Sequence, residues 1–165
     1  MKKRTSLFGV LAPFIGAASI AGADLYIKSK MDCELPGEED TEIKKGIFRF
    51  RRHHNRGAML NLGQKYPGEV KGLSIGSTVM TFLMLCFSSS KRGRIFEKTG
   101  LAFILGGALS NTYDRVKKGY VMDYVSLDVK PSKIRNLVFN LSDVFIGFGL
   151  ILYIISNLTA KDRAL

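Results

Sequence analysis

The apolar residues of this chain fall into four blocks separated by strongly polar segments, and that partition limits the possible folds more than any average does. The blocks run from Leu7 to Ile27, Leu73 to Phe87, Gly100 to Tyr113 and Leu137 to Leu158. A helix needs roughly 20 apolar residues to cross a bilayer, with about 17–25 observed. The first and last blocks have that length. The middle two reach it when their polar flanks, Ser88–Ser90 and Asn111–Asp114, lie at the membrane boundary. The spacing predicts an all-α integral membrane protein, a four-transmembrane-helix bundle forming a single membrane domain over 1-165. Its spans are expected near 7-27, 72-90, 97-116 and 137-158, with extracytoplasmic loops at 28-71 and 117-136. The overall hydrophobic fraction of 46%, ordinary for a soluble protein, hides this contrast.

The net charge of +11 admits nucleic acid, an anionic lipid surface or topology signals as its cause. A nucleic-acid module places its cations along one soluble face with stacking aromatics. Here the cations sit between apolar blocks, which favours the membrane reading and argues against a nucleic-acid partner. Cys33 lies in a polar segment and Cys86 in an apolar block, a separation that speaks against a disulfide framework. His53-His54 has no third ligand nearby in sequence and reads as polar loop, so no metal site is expected. For orientation, Lys2–Arg4 and the Lys91–Lys98 loop favour a cytoplasmic N-terminus under the positive-inside rule, although most of the 25 cations then fall outside. The basic start followed by Ala21-Gly22-Ala23 also fits a cleavable signal, which would leave a chain beginning at Asp24.

Small residues four apart, at Ala12/Gly16, Ala17/Ala21, Ala18/Gly22 and Gly106/Ser110, are suited to close helix packing in lipid. Such residues are also simply common in spans. Between the first two blocks, Asp32 to Glu42 is acidic and contains Pro36-Gly37, so a flexible excursion is expected. Ile47-Phe48-Arg49-Phe50-Arg51 then alternates with the period of a strand. A small extracytoplasmic β segment is expected there, with Phe48 and Phe50 toward lipid and the arginines at headgroups. Tyr120 to Val129 is rich in β-branched residues and reads as extended.

Acids and amides mark the block ends. Asp24 closes the first, Asn111 and Asp114 close the third, and Asn140 and Asp143 open the fourth. Charge within a span costs about 2.5–3.5 kcal/mol on insertion scales and so tends to face a cavity or a partner. With four spans, parity puts all of these residues on one side of the membrane, whichever way the chain is inserted. Asn111–Asp114 and Asn140–Asp143 are both N-x-x-D, and residues three apart share a helix face. An Asn so placed is expected to orient the carboxylate beside it. Asp24 and Lys28, four apart with the acid first, have the favourable order for a helical ion pair.

Together these segments resemble the lipoprotein signal peptidases (signal peptidase II). Gly106 to Arg115 is similar to that family's GGALGNxxDR, Tyr120 to Tyr124 to its VVDF, and Phe139 to Asp143 to its FNxAD. Asp24 and Lys28 match its D-x-x-x-K, and Asn55, Gly57 and Ala58 its N-x-G-A. The matches stand in family order along nearly the whole chain, and the D-x-x-x-K match favours an uncleaved first span. The chain departs from the pattern at Leu25 (Gln in the family), Met59-Leu60 (Ala-Phe), Ser110 (Gly), Tyr124 (Phe) and Ser142 (Ala).

The resemblance implies an aspartic endopeptidase in which Asp123 and Asp143 are the catalytic pair, with no cofactor. Two close carboxylates share one proton, one activating water while the other protonates the scissile carbonyl. Asn111, Asp114 and Arg115 are assigned to a supporting network with Arg115 beside Asp114, and Asn140 to orienting Asp143. Asn55, Gly57 and Ala58 are assigned to holding substrate, and Asp24–Lys28 to a structural pair. The implied substrates are diacylglyceryl-modified prolipoproteins, cleaved on the N-terminal side of the modified cysteine. The implied setting is the bacterial inner membrane, among its lipids, as a monomer with both termini cytoplasmic. The alternatives are a weak or inactive relative that binds precursors or another membrane partner, and an unrelated carrier whose acids serve an ion path.

Overall fold

The computed structural model describes residues 6–35, 43–58, 62–91 and 93–161. In chain order its elements are α1 (Leu7–Glu34), β1 (Ile43–Lys45), β2 (Phe48–Asn55), α2 (Pro67–Ser89), α3 (Ile95–Lys117), β3 (Val121–Leu127), α4 (Ser132–Arg135) and α5 (Leu141–Lys161). Local chemistry sets the helix starts. The Ser6 hydroxyl caps α1 by accepting from the Gly9 N–H at 3.1 Å, and Pro67 opens α2 where a missing N–H costs nothing.

Helix α3 is the centre of the bundle, packed against α1, α2 and α5. Its glycines permit the approach. A Cβ on Gly106 would lie 2.8 Å from the Ala17 carbonyl oxygen of α1, and one on Gly107 would lie 2.5 Å from the Ser142 carbonyl oxygen of α5. Backbone meets backbone on both sides, and Ala17, Leu85, Leu101, Ala102 and Leu105 fill the core between the helices. Among the small pairs of the first block, Ala17 and Ala21 are buried, whereas Gly16 and Gly22 face open space.

Helices α1, α2 and α5 are long and apolar enough to cross a membrane. They turn large apolar side chains outward, among them Phe82 and Phe87 on α2 and Phe148, Ile151 and Leu158 on α5. In water such surfaces would mark an interaction site; in lipid they are ordinary. Helix α3 falls outside that group of three, and its position explains why. Three neighbours cover much of it, so it carries the buried polar side chains Glu97, Lys98, Asn111 and Asp114, while Ile95, Phe96, Leu109, Tyr113 and Val116 remain exposed.

Several boundaries differ from the sequence reading, α2 among them, which starts at Pro67 and not near 72. Helix α1 does not stop near Ile27 but runs on to Glu34, because Lys28 is drawn inward by buried carboxylates and Asp32 is held by Arg52 at 3.6 Å. Residues 36–42, most of the acidic excursion, lie outside the described residues, as do Lys2–Arg4. Helix α5 begins at Leu141 and not near 137, because Phe139 is extended and exchanges two backbone hydrogen bonds with Val125, at 2.8 and 2.9 Å. Strand β2 runs on through His53-His54 to Asn55, so these histidines are strand and not loop. A register irregularity between Phe50 and His53 lets the pairing continue, and the His54 ring sits on Tyr120 at 4.0 Å.

The sheet is antiparallel in the order β1-β2-β3, with His53 opposite Asp123 and Asn55 opposite Val121. Phe50 does not face lipid. It packs on the cluster of Leu35, Met122 and Tyr124 that joins the sheet to the end of α1, while Phe48 stays exposed.

Candidate active site

The turn at Gly119 (φ +81°) sends the chain from α3 straight back into β3, which brings Asp123 to the end of the bundle where α5 starts. Asn140 immediately precedes α5, and Asp143 lies in its first turn. The two cap each other: the Asp143 N–H donates to Asn140 Oδ1 at 3.0 Å, and the Asn140 N–H donates to Asp143 Oδ2 at 3.1 Å. This is a capping box, with Asp in the place usually held by Glu or Gln. The second N-x-x-D is therefore a helix start and not a pair on one helix face.

Three side-chain amides converge on the two aspartates, and their donors set which way each amide faces. Asn140 Oδ1 is occupied by the Asp143 N–H, so its Nδ2 turns to Asp123 Oδ1 at 2.6 Å. Asn55 Oδ1 accepts from the Gly57 N–H at 3.0 Å, so its Nδ2 donates to Asp123 Oδ2 at 2.9 Å. Asn111 Oδ1 accepts from the Lys28 ammonium at 2.7 Å, so its Nδ2 donates to Asp143 Oδ1 at 3.0 Å. With the Asn140 N–H on Asp143 Oδ2, every oxygen of both carboxylates takes one N–H donor. A backbone N–H and an ammonium only donate, which makes each amide orientation a consequence of its surroundings.

Behind this layer lies a buried charge network. The Asp24 carboxylate is fully buried and pairs with Lys28 at 2.8 Å. It also accepts from the hydroxyls of Ser110 and Ser142 at 2.6 Å each and of Tyr124 at 3.1 Å. Lys28 reaches Asp114 at 3.3 Å, and Asp114 is held further by Lys118 at 3.2 Å and by the Met122 N–H at 3.3 Å. With Lys28 between the two carboxylates and Lys118 on Asp114, two ammoniums oppose two carboxylates, the pairing that such burial requires.

A cavity of about 450 Å³ opens over the pair, with both Asp123 and Asp143 in its wall. Ser74 and Ser77 of α2, Ala108 of α3 and Ile146 and Gly147 of α5 line its bundle side, and Arg115 lies at the sheet side. Asp123 is buried to 1% exposure, while Asp143 is open to the cavity. Burial, reinforced by the Asp143 charge, pushes the Asp123 carboxyl up to about 7, against the opposing pull of its hydrogen bonds from Asn55 and Asn140. One buried carboxyl that keeps its proton beside one open to water suits acid–base chemistry on a bond placed between them.

Several partnerships differ from those the sequence suggests. Asn111 reaches across to Asp143 and does not orient the adjacent Asp114. Arg115 does not pair with Asp114 but donates to the Gly57 carbonyl at 2.8 Å, tying the segment after β2 over the cavity. Ala58 lines the cavity, and Met59-Leu60 lies outside the described residues. The roles of Ser110, Tyr124 and Ser142 are invisible in the sequence. The signals the sequence offers are position, since each immediately neighbours Asn111, Asp123 or Asp143, and a hydroxyl at each of three departures from the family pattern.

Fold and site together define a multi-pass helical membrane protein with an amide-held carboxylate pair at one end of its bundle. The signal peptidase (SPase) II family model matches residues 17–159, a stretch containing every residue of the site. The chain belongs to the signal peptidase II family, a family of peptidases. It is 34% identical over 140 residues to the lipoprotein signal peptidase of Brucella ovis, covering 85% of each chain. To that of Mesorhizobium japonicum it is 29% identical over 140 residues, covering 85% of this chain and 81% of the relative. A solved structure described as a bacterial membrane enzyme shares the fold with a TM-score of 0.76 at 20% identity, over 99% of this chain and 95% of that one. A second such structure gives a TM-score of 0.70 at 20% identity, over 96% and 97%. The alternative of a non-cleaving relative finds no support in these matches.

Proposed function

We propose that the chain is an aspartic endopeptidase that removes signal peptides from diacylglyceryl-modified prolipoproteins, with Asp123 and Asp143 as its catalytic pair. The observation that carries this reading is the pair itself: two carboxylates on one cavity, joined through Asn140 and each held by N–H donors on both oxygens. Asp143, open to the cavity, is the base that takes a proton from water as its oxygen attacks the scissile carbonyl. Asp123, which keeps its proton up to about pH 7, gives it to the carbonyl oxygen. As the diol collapses and the C–N bond breaks, Asp143 gives its proton to the leaving amine. Asp123 takes one from a diol hydroxyl, so the pair ends the cycle with the one proton it began with. Asn111 and Asn140 hold the acids in place, and Arg115 with Asn55, Gly57 and Ala58 shapes the wall that the substrate backbone meets.

Helix α3 is the fourth span in this reading, making residues 1–165 one membrane domain of four helices. The sheet, the cavity and the segments between spans face the extracytoplasmic side of a bacterial inner membrane, and both termini are cytoplasmic. The chain acts as a monomer in this reading. The cavity lies at the ends of the helices, so a diacylglyceryl group stays in lipid while water reaches the bond.

The test is cleavage of a diacylglyceryl-modified prolipoprotein by the purified full chain in lipid nanodiscs. Asp123→Asn and Asp143→Asn are expected to abolish product while accumulating to wild-type levels. Normal processing by either variant would overturn the assignment of the pair.

A further inference from the structure

Asp24 does not itself line the cavity, yet its carboxylate gathers three hydroxyls from three different elements. Ser110 belongs to α3, Tyr124 to β3 and Ser142 to α5. Each is the immediate chain neighbour of a residue in the site: Ser110 of Asn111, Tyr124 of Asp123, and Ser142 of Asp143. These are also the three positions where the chain adds a hydroxyl to the GGALGNxxDR, VVDF and FNxAD patterns. Gly, Phe and Ala offer Asp24 no donor.

We propose that Ser110, Tyr124 and Ser142 are positioning residues, locking the segments that carry Asn111, Asp123 and Asp143 in mutual register through the shared Asp24 carboxylate. The proposal rests on the reading of Asp123 and Asp143 as the catalytic pair. Its physical content is geometric. Hydrogen bonds to a charged acceptor are short and directional, and the Ser110 and Ser142 bonds measure 2.6 Å. The Lys28 ammonium holds the same Asp24 oxygen at 2.8 Å, so the anchor is itself pinned.

Tyr124 does more than bind Asp24. Its oxygen accepts the Leu141 N–H at 3.1 Å, one of the helix-start donors of α5 with no partner inside the helix. The residue after Asp123 is thereby joined to the helix start that bears Asp143. Burial and the nearby Asp24 charge hold the Tyr124 hydroxyl protonated, well above its ordinary range, so it remains a donor throughout. A catalytic pair tolerates only about half an ångström of drift, and a 1 Å error can cost on the order of a hundredfold in rate.

Tyr124→Phe and Ser142→Ala each delete one oxygen and leave the packing volume almost unchanged. In the full chain in nanodiscs, kcat for prolipoprotein cleavage is expected to fall about tenfold in each, the scale of a lost hydrogen bond to a charged group, with KM unchanged. The double variant is expected to lose less than the product of the two, because both act through one carboxylate. Hydroxyls that merely satisfy a buried charge would lower the unfolding temperature and leave kcat per folded molecule at the wild-type value. That result, or strictly multiplicative losses, overturns the proposal. If Asp123→Asn and Asp143→Asn abolish cleavage while these variants keep kcat, only the clamp fails. If the aspartate variants still cleave, the catalytic reading itself fails.

Discussion

Asn140 and Asp143 cap one another across the first turn of α5, and the amide left over from that exchange is the group that holds Asp123 Oδ1 at 2.6 Å. One residue thus performs two separable tasks. It satisfies one of the orphan N–H groups at a helix start, and it joins the two aspartates.

Those tasks separate by substitution. Asn140→Ser keeps a side-chain oxygen suited to the cap but removes the amide that reaches Asp123. Asn140→Ala loses both, with a capping loss of about 1 kcal/mol. The expected outcome is that Ser restores most of the unfolding temperature lost in Ala, while both variants cleave prolipoprotein at least tenfold more slowly than wild type. Thermal unfolding and single-turnover cleavage, measured side by side, check it. Wild-type activity in Asn140→Ser would mean that the amide does not orient Asp123.

Gly107 is the second pressure point. A methyl group there would meet the Ser142 carbonyl oxygen at 2.5 Å and Ile146 at 2.7 Å, and because the nearer atom is backbone the helix itself must shift. Gly107→Ala therefore pushes α5 and its Asp143 away from Asn111. Cleavage is expected to fall on the order of a hundredfold, as for a reacting group displaced by about 1 Å. Gly76→Ala, where a Cβ meets nothing within 4 Å, serves as the control and should cleave normally.

The proton on Asp123 sets a pH dependence of definite sign. Its carboxyl is raised to about 7 in the fold, against about 4 in the unfolded chain. The stability this contributes is fully present below about pH 4 and is lost as pH rises through about 7, because the folded state holds the proton that the unfolded state releases. Relative to Asp123→Asn, the wild-type unfolding temperature should therefore fall between those limits. The rate of cleavage should likewise fall above about pH 7 as the acid is lost. Infrared spectroscopy offers a direct check: a protonated-carboxyl band absent from Asp123→Asn should fade through the same range. In Asp143→Asn, which lacks the neighbouring charge, it should fade at lower pH.

Much of this arrangement is legible along the chain. The apolar blocks give α1, α2 and α5, because those helices face outward and must carry their hydropathy in their own residues. Hydropathy is a weaker guide to α3, much of which its three neighbours cover. The acids and amides at the block ends do meet at one end of the bundle, since chain direction alone brings the ends of alternate helices together. The start of α5 was not legible, because the backbone of Phe139 is taken up by β3, a partner distant from any local propensity.

Which amide serves which carboxylate had to await the packed helices. The N-x-x-D spacing pairs Asn111 with Asp114, yet Asn111 crosses 32 positions to Asp143 while Asp114 turns to Lys28 and Lys118. Asp24 finds Ser142 across 118 positions. A hydrogen bond lives or dies within a few tenths of an ångström, and helix rotation and the glycine contacts at 106 and 107 set those distances. Residue types and their order therefore dictate helices, topology and the stock of acids. The rotation of each helix about its axis, settled by packing with all its neighbours at once, selects the partners.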